Sequence, residues 1–285
     1  MTPIESMRLS LDGLSVGDGF GERFFVRDAE SLIAQRAEPR RPWEWTDDTA
    51  MAISIFELLR QEGRIDQDLL AKKFAKRWLF EPGRGYGGGA LSLLERIQDG
   101  EPWCEVARSL FHGQGSLGNG GAMRVAPLGA FFAHEPVARI VEEARLSAEV
   151  THAHPEGQAG AIAVALAAAF VARGGRDGLL AHAIEHTPEG DTRAGLRKAA
   201  ELSPRVTVKQ AAILLGSGSQ VSAPDTVPFA LWAASKHLGD FTEAMWATVE
   251  GLGDRDTTCA IVGGIVALAA EIPADWLAAR EPLSV

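Results

Sequence analysis

Two short acidic clusters, far apart in the chain, each stand directly before an apolar stretch of helical length. Residues 46–49 read Thr-Asp-Asp-Thr and lead into apolar residues 50–59, while residues 254–258 read Asp-Arg-Asp-Thr-Thr and lead into apolar residues 259–268. Asp and Thr are favourable N-caps, and acidic groups suit the positive end of a helix dipole. The pattern therefore predicts two buried helices that each begin at an acidic cluster.

Each cluster contains more oxygen ligands than a helix cap uses. A cap needs one side-chain oxygen, whereas each cluster has two carboxylates and at least one hydroxyl. Hard cations such as Mg²⁺ and Mn²⁺ prefer oxygen ligands. If the two helix starts pack together, a metal would relieve the repulsion among the four carboxylates. For either cluster alone, an ordinary helix start is the favoured interpretation.

Composition narrows the class of protein. The chain has 285 residues, 46% of them hydrophobic and 23% charged, which is typical of a soluble globular protein. The net charge of −10 argues against general nucleic-acid binding or binding to an anionic membrane. The longest uncharged apolar run, residues 159–172, is short for a membrane span and predicts a buried helix. We predict a single domain over residues 1–285.

The expected location of the protein is the cytoplasm. The N-terminus, residues 1–11, has no apolar core of a secretory signal. The chain has two cysteines, Cys104 and Cys259, without metal-type spacing. A reduced compartment is the natural setting for such cysteines.

Three glycine-rich segments accompany the acidic clusters. Residues 17–21 predict a Gly-Asp-Gly turn, in which Asp18 caps or bonds to backbone and the glycines allow close backbone approach. For residues 83–89 and 113–121, the glycine content predicts loops whose backbone N–H groups are open to an anion. The alternatives are a flexible connector for the first segment and a plain turn for the second. Helices are predicted over residues 49–61, 66–79, 90–98, 135–150, 156–172 and 259–270 from the apolar periodicity.

The two acidic motifs resemble those of a known family. Residues 45–51 and 253–258 are similar to the two metal-binding motifs of the ADP-ribosylglycohydrolase family, which includes dinitrogenase-reductase-activating glycohydrolases. Residues 17–21, 118–127 and 151–154 fit the same family pattern in the same order. Single motifs of this kind are weak, but five in the family's order are specific.

The resemblance implies a fold and a metal centre. The expected fold is all-α, a compact orthogonal bundle of about a dozen helices with the metal site in a cleft at one end. It implies a helix for residues 17–21, packed beside the site. The cofactors implied are two Mg²⁺ or Mn²⁺ ions, with six metal ligands, namely Thr46, Asp47, Asp48, Asp254, Asp256 and Thr257.

The resemblance also implies an activity. The expected reaction is hydrolysis of the bond between C1″ of ADP-ribose and an acceptor, which releases ADP-ribose. The acceptor stays open among an arginine or serine side chain, a nucleobase adduct and a small molecule. The candidates for acid–base catalysis are Asp47, Asp48 and Glu22. Many relatives carry a glutamate at the position that is Phe25 here, so Glu22 departs from the family's pattern.

The implied partner is an ADP-ribosylated protein or small molecule, with an ADP-ribosylating enzyme as the functional counterpart and no membrane. The residues that the resemblance places against the substrate are Tyr86, Gly87, Gly118, Asn119, Gly120, Gly121, Met123 and His152. Two alternatives stay open. One is a different binuclear-metal hydrolase, for example one that cleaves phosphate esters. The other is a catalytically altered ADP-ribose-binding protein of the same fold.

Overall fold

The computed structural model describes residues 1–285, and α-helices are its only extended secondary-structure elements. The two β-type contacts are isolated bridges, Trp43 with Arg280 and Gly118 with Ser222. The seventeen helices are α1 Pro3–Glu22, α2 Ala29–Ala34, α3 Asp47–Glu62, α4 Gln67–Phe80, α5 Gly88–Gln98, α6 Trp103–Gly113, α7 Gly120–Met123, α8 Ala126–Phe131, α9 Val137–Glu149, α10 Pro155–Ala172, α11 Leu179–His186, α12 Asp191–Glu201, α13 Val208–Leu215, α14 Ala223–Lys236, α15 Phe241–Glu250, α16 Arg255–Val266 and α17 Ala274–Ala279.

The all-α prediction is confirmed, although the number of helices exceeds a dozen. Four of the helices, α2, α7, α8 and α17, contain only four to six residues. Helices this short bury too few apolar residues to show a 3.6-residue period in the sequence. Periodicity therefore does not predict them. Helices α3, α4, α5, α9 and α10 begin and end within two residues of their predicted bounds, whereas α16 is Arg255–Val266 where residues 259–270 are predicted.

Helix α1 packs along α16 at very short range because glycines recur every four residues on its inner face. A Cβ atom at Gly17 would lie 2.1 Å from the carbonyl oxygen of Cys259, and one at Gly21 would lie 2.3 Å from that of Arg255. Gly13 meets α16 in the same way. The turn predicted from the Gly-Asp-Gly pattern is wrong, because these glycines serve helix–helix contact and α1 continues to residue 22.

Helix α3 has well-defined ends. Thr46 is its N-cap, and its side chain accepts a hydrogen bond from the Asp48 amide. Gly63 ends the helix in the left-handed region at φ 67°, where its N–H donates to the Leu59 carbonyl. A glycine is favoured there because it lacks the Cβ that makes this conformation costly. The helix thus begins at the first acidic cluster.

Helix α10 lies in the core. It is the one helix that is long and apolar enough to cross a membrane by length and composition, and 72% of it is buried inside the protein. It packs against α7, α8, α9, α11, α12, α14 and α16. Its apolar character is therefore used in packing, and the segment just before it, with Thr151 and His152, borders the cleft described next.

Candidate active site

The two acidic clusters meet in one cleft. The starts of α3 and α16 face each other across a cavity of about 610 Å³. The polar side chains in its wall include five of the six predicted metal ligands, namely Asp47, Asp48, Asp254, Asp256 and Thr257. The sixth, Thr46, lies behind them, where its hydroxyl is within 3.1 Å of Asp48 Oδ2. Residues from opposite ends of the chain thus form one carboxylate-rich centre.

Asp18, on α1, holds the start of α3. Its buried carboxylate accepts hydrogen bonds from the backbone N–H and the hydroxyl of Thr46 and from the same two groups of Thr49. Burial raises the pKa of Asp18 to about 6, against the lowering effect of these hydrogen bonds. Asp18 therefore does the work of a cap, as predicted, and leaves Asp47 and Asp48 free to face the cleft.

The carboxylates in the cleft lack partners for part of their oxygen atoms. Asp48 Oδ1 and Asp256 Oδ1 are buried without any hydrogen-bond partner. Burial, followed by the charge of Asp256, raises the pKa of Asp48 well above its usual range. Burial and then the charge of Asp254 do the same to Asp256. Burial and then Asp18 raise the pKa of Asp47 to about 7.

Such a group of atoms fits a divalent cation. Buried carboxylate oxygens without donors are costly, and so is the repulsion between like charges. Oxygen-only ligands at this density match the preference of Mg²⁺ and Mn²⁺. The residues present are therefore compatible with the metal centre that the sequence predicts.

Asn119 supports the carboxylates from behind. Its side-chain nitrogen donates to Asp254 Oδ2 at 2.7 Å and to Thr226 Oγ1 at 3.0 Å. Both N–H groups of the amide are thus in use, and only the amide oxygen stays free for a ligand. The sequence predicted Asn119 as a substrate contact, and the structure shows that it also orients one of the acidic residues.

The glycines beside Asn119 make room for a histidine. A Cβ atom at Gly120 would lie 2.9 Å from His152 Cε1, and one at Gly118 would lie 3.2 Å from His152 Nε2. Both glycines and Met123 line the cleft. Gly121 does not, because it packs against Ala148 and the α10 backbone. The prediction of a substrate contact at Gly121 is therefore not supported by its position.

His152 is buried beside the cleft and neutral. Arg124 Nη2 donates to Thr151 Oγ1 at 2.8 Å, and this hydroxyl lies 2.7 Å from His152 Nδ1. Both tautomers of the ring are compatible with this contact, and the one in which Nδ1 accepts places the ring hydrogen on Nε2, beside Gly118 and Gly120. Burial and then the charge of Arg124 lower the pKa of His152 to about 3. The sequence predicts His152 at the cleft but does not identify Arg124, the buried residue that donates to Thr151.

The glycine-rich loop before α5 borders the opposite side of the cleft. Gly85, Gly87, Gly88 and Gly89 line it, and the amide of Asp47 donates to the Arg84 carbonyl, which fixes the loop to the start of α3. Tyr86 is buried in the core and does not line the cleft. Contact between Tyr86 and the substrate stays a prediction.

Three apolar residues at the rim of the cleft are not predicted from the sequence. Phe111, Leu117 and Val221 line the cleft and are exposed. Phe111 and Val221 have φ values of 50° and 52°, which are rare for residues with bulky side chains. Backbone of this kind concentrates at functional sites. Neither the exposure nor the backbone angle leaves a signal in the sequence.

Glu22 lies beside the cleft rather than in it. A second cavity, of about 680 Å³, shares Gly85 and Asp256 with the cleft and is bordered by Glu22, Phe25 and Thr46. Burial, followed by the charge of Asp18, raises the pKa of Glu22. Glu22 therefore reaches the edge of the acidic centre through the second cavity, which the glycine-rich loop also borders at Gly83 and Gly85. Phe25 borders the same cavity.

Comparison with known proteins agrees with this geometry. The ADP-ribosylglycohydrolase family model matches residues 2–283. The chain belongs to this family. It is 30% identical to the ADP-ribosylhydrolase ARH3 of Homo sapiens, over 96% of this chain and 88% of the human protein. It is also 30% identical to an uncharacterized protein of Archaeoglobus fulgidus, over 96% of this chain and 90% of the other.

A solved structure supports the same assignment for this glycohydrolase. The structure titled "ADP-ribosylglycohydrolase-related protein complex" superimposes with a TM-score of 0.71 and 26% sequence identity, and it covers 98% of this chain and 93% of the other. The family and the all-α fold expected from the motifs are thus confirmed, and the chain is an ADP-ribosylglycohydrolase enzyme.

Proposed function

We propose that this glycohydrolase uses two divalent cations, Mg²⁺ or Mn²⁺, to release ADP-ribose from an acceptor joined to C1″. The observation that carries the proposal is the pair of buried, partnerless oxygens, Asp48 Oδ1 and Asp256 Oδ1, where the two acidic helix starts meet. Family membership supports hydrolysis of an ADP-ribosyl bond in general. The partnerless oxygens support a metal centre for that reaction.

The metals would be held by oxygen ligands from both helix starts. The residues that fit this role are Asp47, Asp48, Asp254, Asp256 and Thr257, with Thr46 behind them. When bound, such cations polarise substrate oxygens and supply positive charge for the hydroxyls of the ribose and for an attacking water. Asn119 keeps Asp254 in position for this task.

The rest of the cleft suits the remaining parts of ADP-ribose. His152 Nε2 lies next to Gly118 and Gly120, and we assign it, in the Nε2–H tautomer, to a hydrogen bond with the phosphate–ribose portion. Phe111, Leu117 and Val221 form an apolar rim, which suits the adenine because bases bind well against aromatic and apolar surfaces. The cleft volume of about 610 Å³ lies in the range of small-molecule sites.

Acid–base chemistry would come from the carboxylates at the junction of the two cavities. The breaking bond develops positive charge at C1″, which nearby carboxylates stabilise. Asp47 faces the main cleft, and Glu22 faces the second cavity on the far side of Asp256. We assign Asp47, Asp48 and Glu22 to proton transfer, and the second cavity to the departing acceptor.

The biological setting follows from the activity. The substrate is an ADP-ribosylated protein or small molecule, and an ADP-ribosylating enzyme is its functional counterpart. We place the protein in the cytoplasm as a single domain, in keeping with its two free cysteines.

The test offers purified protein a panel of ADP-ribosyl adducts and a phosphate ester, with Mg²⁺, with Mn²⁺ and with chelator. We expect metal-dependent release of free ADP-ribose, detected by mass spectrometry, from at least one adduct. Asp256→Asn should lose this release while keeping the helical circular dichroism spectrum. Phosphate release instead of ADP-ribose would point to the other class of binuclear hydrolase. Binding of ADP-ribose without turnover of any adduct would point to a binding protein.

A further inference from the structure

Helix α11 carries a second group of metal-ligand side chains, outside both cavities. His182, Glu185 and His186 occupy positions i, i+3 and i+4, so they share one face of the helix. One ligand atom from each of the three lies within 4.8 Å of the others. Glu185 Oε2 is 3.7 Å from His186 Nε2. None of the three lines the cleft or the second cavity.

The ring of His182 is oriented by its neighbours. Phe170, on α10, stacks on it with ring centroids 5.1 Å apart, and the His186 ring lies edge-on at 5.2 Å. Arg173 Nη2 lies 3.3 Å from His182 Nε2. Because an arginine only donates, Nε2 is the accepting ring nitrogen and carries the lone pair that a metal would use.

We infer that His182, Glu185 and His186 form a binding site for a divalent transition metal of the Zn²⁺ class. Imidazole nitrogens suit zinc, copper and nickel, whereas Mg²⁺ and Mn²⁺ prefer the oxygen ligands of the cleft. Two histidines and one carboxylate, with a fourth position left to water, are a recognised zinc ligand set. The donor types thus separate this site chemically from the carboxylate centre.

The present spacing needs only a small adjustment. Ligand atoms in a tetrahedral zinc site with bonds of about 2.05 Å lie roughly 3.3 Å apart. Glu185 is exposed, with 71% of its side-chain surface open, so rotation of this side chain meets little resistance. His186 is half-buried at the last residue of α11. Binding would tie the last turn of this eight-residue helix together.

One neighbouring group opposes the metal. Arg173 Nη2 lies 3.3 Å from His182 Nε2, and its positive charge would repel a cation at that nitrogen. Arg173 is exposed, so its guanidinium can move into solvent. This contact gives the proposal a test with a defined sign, because removal of the arginine should strengthen metal binding.

The experiment titrates ZnCl₂ into the full-length protein by calorimetry, with excess Mg²⁺ present to occupy oxygen-ligand sites. We expect one equivalent of Zn²⁺ to bind to the wild type and to Arg173→Ala, more tightly to the latter. Binding should be lost in the double variant His182→Ala/His186→Ala. The matched control is His134→Ala, which removes an exposed histidine elsewhere and should leave the titration unchanged.

Two further readouts make the result decisive. Circular dichroism and Mg²⁺-dependent ADP-ribose release should be the same in the double variant as in the wild type, which shows that the fold and the cleft are intact. In imidazole ¹⁵N NMR spectra, Zn²⁺ should shift the resonances of His182 and His186 and leave that of His134 in place. Absence of Zn²⁺ binding to the wild type would overturn the proposal. Equal binding to the double variant would overturn it as well, since the metal then binds elsewhere.

Discussion

The starts of α3 and α16 carry the same types of residue but are held in different ways. At α3, Thr46 caps the helix, and Asp18 accepts hydrogen bonds from four donor groups, the N–H and the hydroxyl of both Thr46 and Thr49. At α16, Asp254 makes no capping bond with its side chain, and its carboxylate is instead bound by Asn119. The start of α3 is thus held by the buried carboxylate of Asp18, whereas the start of α16 is held by backbone packing and by the Asn119 side-chain amide.

The difference teaches how a protein keeps carboxylates free at a helix start. At α3 the capping is shared by Thr46 and by Asp18, which lies on another helix, so that Asp47 and Asp48 face the cleft. At α16 the helix is positioned by its close backbone contact with the glycines of α1. In both cases the acidic residues that look like caps in the sequence are released from that role.

The largest stability effect expected from this comparison is that of Asp18→Ala. The change leaves buried donors of Thr46 and Thr49 without an acceptor, and each such donor costs about 1–3 kcal/mol. We therefore expect a loss of at least about 2 kcal/mol in the free energy of unfolding, measured by urea denaturation. Asp254→Ala is the matched change at α16, and it should cost about 1 kcal/mol or less, since no cap is lost. Equal losses would break the comparison.

The next effect concerns the packing of α1 on α16. Gly17→Ala places a Cβ atom 2.1 Å from the Cys259 carbonyl oxygen, so the two helices must separate. We expect a destabilisation of about 1–3 kcal/mol, typical of overpacking in a core. This sign is opposite to the gain that alanine usually gives in a helix. Gly83→Ala, where a Cβ atom meets nothing within 4 Å, is the control and should unfold like the wild type.

A smaller effect is expected at the amide behind α16. Asn119→Ala removes the hydrogen bond that orients Asp254 and should lower the affinity for Mg²⁺ by about tenfold, as for other residues that orient metal ligands. Calorimetric titration with Mg²⁺ measures it, and ADP-ribose affinity should fall in the same variant. Thr226→Val, which removes the other partner of the amide, should have a weaker effect. An unchanged affinity for Mg²⁺ in Asn119→Ala would contradict the role of Asn119 in positioning Asp254.

Much of this site was predictable from local pattern, and the rest depended on contacts between distant residues. The acidic clusters and the helices after them follow from neighbours in the sequence. The hydrogen bonds that Asp18 accepts from Thr46 and Thr49, and the one that Asn119 donates to Asp254, join distant parts of the chain, so no local spacing predicts them. The burial of Tyr86 and the positive φ of Phe111 are likewise set by packing. The residue types predict the chemistry of the site, whereas the tertiary structure determines which contacts each side chain makes.

The central claim is that the meeting point of the two helix starts binds metal, and Asp256→Ala tests it most directly. Thermal melts of wild type and variant are compared with and without Mg²⁺. At a hundredfold excess of Mg²⁺ over its Kd, binding stabilises a protein by about 2.7 kcal/mol. Without metal, the variant should be at least as stable as wild type, because repulsion among buried carboxylates is relieved.

With Mg²⁺ present, only the wild type should gain stability, and the variant should release no ADP-ribose from a substrate that the wild type hydrolyses. A variant that Mg²⁺ stabilises as much as the wild type, and that remains active, would show that Asp256 is only a residue of a helix start.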